Sequence, residues 1–400
     1  MRELPPTLTI APGIRLRHEH FGALAWHTEP RKIFQLGHET ATLLLLHDQP
    51  RSTAAVVSMG DVLETPADEC RAILGGLYQQ GVLVAVDTPP VPLTDDDVRA
   101  TASRQAKLTP THAVLKPFWA HIQPFTRCNQ HCIHCYCSGG PKADPFLLSV
   151  ATWCDIVARL DRYGVFDVYV TGGESLLLDG FFDIAEVILD RGMGFGVSTN
   201  ATLLSERILD RLRELRIGTV QVSLDGGNAA LHEFIRGAPG SFTRTLDGIG
   251  RIAAFAEPVI NTVVNRLNLD GLEEVVKLGL DHGCRRFKFF PQKPVGRSGR
   301  DLTLDDAEIM ERLVAECARL ADAHGVEIET IDPGRPCGSG SIGFALDQRA
   351  DIYPCIFGIE NTALCCGNLL ADDLDTVWFG SPVLARFRGD VATPCRRCEP

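Results

Sequence analysis

Cys128-Asn129-Gln130-His131-Cys132-Ile133-His134-Cys135-Tyr136 sets three cysteines at a CxxxCxxC spacing, with an aromatic residue directly after the third. Three thiolates on one short loop can hold an iron–sulfur cluster by three of its irons, which leaves the fourth iron an open coordination position where chemistry can happen. Structural zinc is the rival reading, because Cys132 and Cys135 with His131 and His134 beside them offer four zinc-competent donors.

From Phe118 onward apolar runs alternate with amphipathic stretches, a repeating β/α pattern that implies a parallel sheet. The strands read are Trp119 to Phe125, Asp167 to Val170, Phe195 to Ser198, Thr219 to Leu224, Val259 to Val264 and Phe287 to Phe290. Helices lie between them, such as Ser149 to Tyr163, opened by a serine N-cap, and Ser205 to Leu215, closed at Gly218. Six units suit a partial (β/α)6 TIM-type barrel, α/β in class, over residues 119–300. In such a barrel the carboxyl ends of the strands converge on one mouth, where catalysis sits. The first strand runs into the cysteine loop. The next five end in Thr171-Gly172-Gly173-Glu174, Ser198-Thr199-Asn200, Ser223-Leu224-Asp225-Gly226, Asn261 through Asn265, and Pro291-Gln292. Gly and Asn often end strands for turn geometry alone, but five polar or glycine endings in chain order behind a cysteine loop form a set.

The loop and this set resemble the radical S-adenosylmethionine (SAM) enzymes. The resemblance implies a [4Fe–4S] cluster on Cys128, Cys132 and Cys135 that chelates SAM at its open iron. One electron then cleaves the sulfonium, and the 5′-deoxyadenosyl radical abstracts hydrogen from the substrate. Gly172, Gly173 and Glu174 match the family's GGE stretch, which hydrogen-bonds the methionyl ammonium, with glycines that let the backbone approach the ligand. Ser198 and Asn200 fall where the family places ribose and carboxylate contacts, and Ser223 and Asp225 take a similar place on the next strand. Arg236, in His232-Glu233-Phe234-Ile235-Arg236-Gly237, is expected either to pair with the SAM carboxylate or to be a solvated helix residue. Gly192-Met193-Gly194-Phe195-Gly196 lacks the dinucleotide GxGxxG spacing and precedes a strand, so no nucleotide-binding loop is assigned there.

Four hundred residues, 45% of them hydrophobic, suffice for two or three domains without covalent staples. No charged-then-apolar leader opens the chain and no run of eighteen apolar residues occurs, so a cytoplasmic location is expected, with the 14 cysteines serving as metal ligands or core residues. A net charge of -12 argues against nucleic acid as a partner.

Residues 1–92 read as a winged-helix-like α+β domain. Ile14 to Glu19, Ala23 to Thr28 and Lys32 to Leu36 suggest three antiparallel strands; His38 to Asp48, Ser52 to Ser58 and Ala67 to Gln80 suggest helices, and Val82 to Val86 a closing strand. This order resembles the PqqD family of peptide-recognition domains, in which a leader peptide adds as a strand to the sheet edge. A DNA-binding winged helix and a purely structural cap are the other readings, the former weakened by acidic residues outnumbering basic ones up to Asp87. Asp87 to about Pro117, rich in proline, reads as a linker, with 93–118 set between the domains.

Beyond the barrel, 301–400 is read as a long amphipathic helix, Asp301 to His324, followed by a small cysteine-rich domain. Cys337, Cys355 and the pair Cys395 and Cys398 resemble the auxiliary-cluster extensions of radical SAM enzymes, called SPASM and twitch. The resemblance implies one auxiliary [4Fe–4S] cluster on these four thiolates; a four-cysteine zinc knot is the alternative. Two family features are missing: Ala350 stands where glycine is usual, and Ile356 where some relatives carry an acidic base. Cys365 and Cys366 are spare and could replace a ligand, Cys137 is ambiguous, and Cys70, Cys154, Cys284 and Cys317 read as small buried residues.

Together these readings imply a maturase that uses SAM to modify a ribosomally made precursor peptide, closing a thioether or carbon–carbon crosslink, with flavodoxin or ferredoxin as reductant. A twitch-type dehydrogenase of a small molecule and a zinc-stabilised binding protein are the alternatives.

Overall fold

The computed structural model describes residues 4–28, 32–105, 114–142, 148–178, 180–304, 307–331 and 338–388. The chain divides into two compact units, one up to Leu115 and one from Lys116 onward.

In the first unit β1 (Thr7–Ile10) precedes the three expected strands, β2 (Ile14–Glu19), β3 (Gly22–His27) and β4 (Lys32–Leu36), which pair as an antiparallel meander with β3 in the centre. β3 is buried from Gly22 to Trp26, whereas β4 alternates buried Phe34 and Leu36 with exposed Lys32, Ile33 and Gln35, as an edge strand does. The strand that the sequence reading missed, β1, lies between β5 (Arg51–Ser52) and β6 (Leu83–Ala85). Its four residues follow two prolines, and two-residue β5 carries no periodic signal at all. Helices His38–Leu45, Thr53–Ser58 and Ala67–Gln79 cover this core, the last through Cys70, Leu74 and Leu77 on one face.

The expected linker contains a helix, Asp95–Gln105. Thr94 caps it, its hydroxyl accepting the Asp97 N–H at 3.2 Å while Asp97 accepts the Thr94 N–H at 3.0 Å. Val98 on this helix is fully buried in the core of the first unit, and Arg51 donates to the carbonyls of Val91 and Pro92. Proline density signalled a break; over residues 94–105 the cap and one buried valine give a helix instead.

In the second unit the six expected strands form in order, β7 (Trp119–Ile122), β8 (Asp167–Val170), β9 (Gly194–Thr199), β10 (Thr219–Ser223), β11 (Glu257–Val264) and β12 (Arg286–Pro291), each parallel to its sequence neighbour. Val168, Val170, Val220, Val222, Phe287 and Phe289 are buried under the crossover helices. Alternate residues on the other face, Tyr169, Gln221, Ser223 and Lys288, are half-buried toward the barrel interior. Ser149 caps the helix Val150–Tyr163, as its sequence suggested, by accepting the Thr152 N–H at 3.1 Å. The helix Glu206–Glu214 does not end at Gly218. Arg216 takes the left-handed turn, φ +51°, with Ile217 donating to Leu212 and Arg216 to Arg213, a Schellman closure built on an arginine.

Among the described residues the sheet continues past these six strands on both sides. β13 (Glu327–Thr330) pairs parallel to β12 at one margin, and β14 (Gly343–Leu346) pairs parallel to β7 at the other, followed by antiparallel β15 (Asp351–Tyr353) and β16 (Gly367–Asn368). The barrel is therefore partial and open. Among the described residues the long helix runs Ala307–His324, and Arg300–Leu302, where the sequence placed its start, form a single 3₁₀ turn.

Candidate active site at the carboxyl ends of the barrel strands

Past β7, the cysteine loop closes on itself where Arg127 bridges Gly140 and the Cys128 N–H donates to the Gly140 carbonyl at 3.1 Å. The end of β8 lies against its entry. A Cβ on Gly172 would sit 2.2 Å from the Phe125 carbonyl oxygen, and one on Gly173 would sit 1.9 Å from that of Arg127. The same peptides bond there, Gly173 N–H to Phe125 at 3.1 Å and Glu174 N–H to Arg127 at 3.0 Å. Hence the loop's own backbone requires both glycines.

Two other segments clamp the loop. The carboxyl end of helix Ala229–Arg236 accepts from it, His131 N–H to Arg236 at 3.1 Å and Ile133 N–H to Ile235 at 2.9 Å. Arg297, absent from the sequence reading because it lies in a Gly/Ser stretch with no motif, donates through Nε to the Cys132 carbonyl at 2.8 Å and through Nη2 to that of Gly139 at 2.7 Å. Its Nη1 lies 3.1 Å from His131 Nε2. Gly296 before it takes φ +64°, and a Cβ there would be 2.3 Å from the Tyr136 carbonyl.

Each thiol of the motif receives a donor. Cys128 Sγ accepts from Gln130 N–H at 3.4 Å, Cys135 Sγ from Gly139 N–H at 3.3 Å, and Cys132 Sγ lies 3.7 Å from Arg236 Nη1. Burial pushes the Cys128 thiol up to about 12 and raises that of Cys132. Cys135 is drawn down to about 6, chiefly by the Cys137 thiol 3.7 Å away, and Cys137 is raised in turn. Cys137, ambiguous in sequence, is buried with its thiol 3.3 Å from the Gly172 carbonyl.

Among the described residues no three His, Cys, Asp or Glu side chains converge on one point as a single ion demands. A closed zinc tetrahedron needs that convergence, whereas a cuboidal cluster takes each thiolate at a different iron. Both imidazoles of the zinc reading are engaged elsewhere, His134 with Asp225 at 2.8 Å and His131 with Arg297.

The other site candidates fall into two groups. Glu174, Asn200, Asp225 and Arg236 are buried, at 2%, 5%, 0% and 7% exposure, and spend their polar atoms inside the protein. Glu174 accepts from the Thr199 hydroxyl at 2.6 Å and the Asn200 N–H at 2.8 Å, tying β8 to β9; burial raises its carboxyl. Asn200 donates to Asn129 Oδ1 at 2.8 Å and accepts from Thr202. Asp225 Oδ1 accepts the Val263 N–H at 2.9 Å, and its Oδ2 lies 2.7 Å from Arg236 Nε and 2.8 Å from His134 Nε2. Its carboxyl is held below the usual range by Arg236 and His134, which overcome the desolvation that opposes them. Both of its oxygens are engaged, which ties Asp225 to the loop through His134, and Arg236 is buried rather than solvated. Ser198 and Ser223 form the second group, half-buried and in register with Gln221 and Asn261 on the inner face.

Residues 122–279 match the family model described as the radical SAM superfamily. The mycofactocin maturase MftC of Mycobacterium ulcerans is 30% identical over 293 residues, covering 68% of this chain and 77% of that one. The chain belongs to the radical SAM superfamily. The AdoMet-dependent heme synthase of Methanosarcina barkeri is 26% identical over 302 residues, covering 68% of this radical SAM chain and 85% of the synthase. The structure of Streptococcus suis SuiB bound to precursor peptide SuiA shares the fold, with TM-score 0.73 over 96% of this chain and 91% of that one at 16% identity.

A [4Fe–4S] cluster and SAM are accordingly the cofactors of this radical SAM enzyme, and the loop fits them. Besides the three thiols, Gln130 of the loop has a buried donor, Nε2, and Gln123, directly after β7, a buried acceptor, Oε1, neither paired among the described residues. An amino-acid zwitterion such as the methionyl end of SAM carries the complement of both.

Sequence reasoning missed the inner wall of the barrel. Trp119 and His121 stack with ring centres 4.6 Å apart, and His121 meets Tyr169 edge-on at 5.1 Å. Gly343 and Gly196 make room for these rings, since added Cβ atoms would lie 2.2 and 2.3 Å from Trp119 and Tyr169. Gly196, the end of the discarded glycine stretch, thus has a packing role. Lys288 on the same face pairs with Glu329 at 3.0 Å. Only alternation in the strands could have flagged this set, and their short runs made it faint.

Of the proposed auxiliary ligands Cys337, Cys395 and Cys398 lie outside the described residues, and Cys355 is buried. Two residues on, Phe357 meets Tyr136 of the cluster loop edge-on at 5.7 Å. Cys365 and Cys366 donate to the Gly367 and Leu364 carbonyls. Cys70, Cys284 and Cys317 are buried as expected, while Cys154 is half-buried. No described helix is long and apolar enough to cross a membrane.

Proposed function

We propose that the chain is a maturase that modifies a ribosomally synthesised precursor peptide at the barrel mouth. When bound, the cluster and SAM supply reductive cleavage to a 5′-deoxyadenosyl radical that takes a hydrogen atom from the substrate. The protein's part is positional: Arg297 and the helix end at Arg236 hold the thiol loop, and Glu174 and Asn200 lock the neighbouring strand ends around it. Residues 1–92 serve as the PqqD-like recognition domain, 93–118 as the connection, 119–300 as the radical SAM core and 301–400 as the auxiliary-cluster domain, with Cys337, Cys355, Cys395 and Cys398 on one further [4Fe–4S] cluster. Electrons come from a flavodoxin or ferredoxin.

The observation that carries this reading is the edge strand β4, whose outward side has no strand partner among the described residues and whose Ile33 is 43% exposed. A leader peptide adding there would gain main-chain hydrogen bonds and an apolar anchor, and tethering would raise the local concentration of the core peptide. The similarity to MftC and the shared fold with SuiB support the same substrate class. The product envisaged is a thioether or carbon–carbon crosslink.

The test is incubation of reconstituted protein, SAM and dithionite with short peptides encoded beside its gene. Formation of 5′-deoxyadenosine with loss of hydrogen mass from the peptide, weakened by Ile33→Asp, is the expected result. The similarity to the heme synthase favours a second reading, a small-molecule substrate. Turnover of SAM with no peptide changed and no effect of Ile33→Asp would select it.

A further inference from the structure

The three thiols of the loop are not equivalent. Cys128 and Cys135 receive backbone N–H donors, whereas the donor nearest Cys132 is a full cation, Arg236 Nη1 at 3.7 Å. That guanidinium is 7% exposed and ion-paired with fully buried Asp225, whose Oδ2 lies 2.7 Å from its Nε without hydrogen-bond geometry. Asp225 is itself fixed by the Val263 N–H and by His134, a residue of the cysteine loop. The arrangement is a relay from the strand end to the loop, with its positive end toward sulfur and its negative end one guanidinium further away.

A [4Fe–4S] core with three thiolates carries net negative charge and gains one more on reduction. A buried cation nearer the cluster than its counter-ion stabilises the reduced form, because hydrogen bonds and charge at the sulfurs set cluster potentials. Arginine suits the task because its planar fork reaches carboxylate and sulfur at once; lysine offers a single point.

We propose that Arg236 is a positioning residue for the cluster itself, whose charge on Cys132, partly offset by its counter-ion Asp225, raises the potential at which the cluster accepts an electron from its donor. This rests on the reading that Cys128, Cys132 and Cys135 hold the cluster, and it replaces a contact between Arg236 and SAM.

The full chain, reconstituted anaerobically, is titrated with dithionite and the reduced cluster followed by electron paramagnetic resonance, with iron and sulfide counted and SAM affinity measured by calorimetry. Arg236→Gln is expected to load its cluster and to bind SAM within about twofold of the parent, while the ratio of reduced to oxidised cluster at fixed potential falls about tenfold, 59 mV for one electron. Asp225→Asn, which removes the counter-charge and leaves the cation, is expected to shift the midpoint the opposite way. Opposite signs cannot arise from loosened packing. A loaded cluster with an unmoved midpoint overturns the proposal, as does lost SAM affinity without a change of midpoint, or shifts of the same sign. Should Arg236→Gln not load, Arg236→Lys and Asp225→Asn are read in its place, and parental midpoints in both overturn it. A parent chain that holds no iron would instead refute the underlying assignment of the three cysteines.

Discussion

Single residues carry much of this fold's tension. Arg216 is the exposed left-handed residue that closes helix Glu206–Glu214, where glycine would fit without a Cβ penalty. Arg216→Gly should therefore stabilise the protein by about 1 kcal/mol, read as a higher urea midpoint. Gly173 has the opposite character. Its Cβ would overlap the Arg127 carbonyl, so Gly173→Ala must push the loop entry aside, and iron bound per chain after reconstitution should fall to less than half, with the urea midpoint also lowered. Ala350, where the auxiliary-cluster relatives usually have glycine, turns out to sit at φ +64°, which explains the glycine preference at that position.

At the scale of elements, what repeats was legible and what does not repeat was not. The six barrel strands and the Ser149 cap follow from periodicity and cap chemistry, and the polar endings fall at the carboxyl ends of these parallel strands. That Asp225 and Arg236 pair with each other was not legible, since a sequence does not show which side chains a fold brings together. Strands β13 to β16 are two to four residues long and lie among Gly, Pro and Cys, below any periodic signal. Helix Asp95–Gln105 was hidden by the prolines around it. Because Val98 is buried in the core of the first unit, Val98→Ala should destabilise that unit by about 2 kcal/mol, with loss of protection from hydrogen exchange across Ala67–Gln79 as the measurement. Arg297→Ala should strip three donors from the cysteine loop and reduce cluster loading while leaving the sheet's circular dichroism intact.

For the molecule as a whole, acid is the expected weakness. His121, chiefly through burial and also facing Lys288, and His232, through burial and the charge of Arg236, are each lowered to about 4. An unfolded chain protonates them near 6.5 and the folded one does not, so it is the unfolded state that binds the extra protons as pH falls. Stability should be flat above about 6.5 and drop between there and 4, by about 2 kcal/mol for each histidine at pH 5. Urea midpoints at pH 7 and 5 check this, and His121→Phe should make the drop shallower.

The margins of the large sheet come from the same late part of the chain: β13 guards β12, and β14 guards β7. During synthesis, then, the early strands emerge from the ribosome with a flank bare until residues 327–368 pair against them. A truncated transcript would yield a sticky, chaperone-dependent product, and iron delivered before translation finishes would meet a half-built vessel.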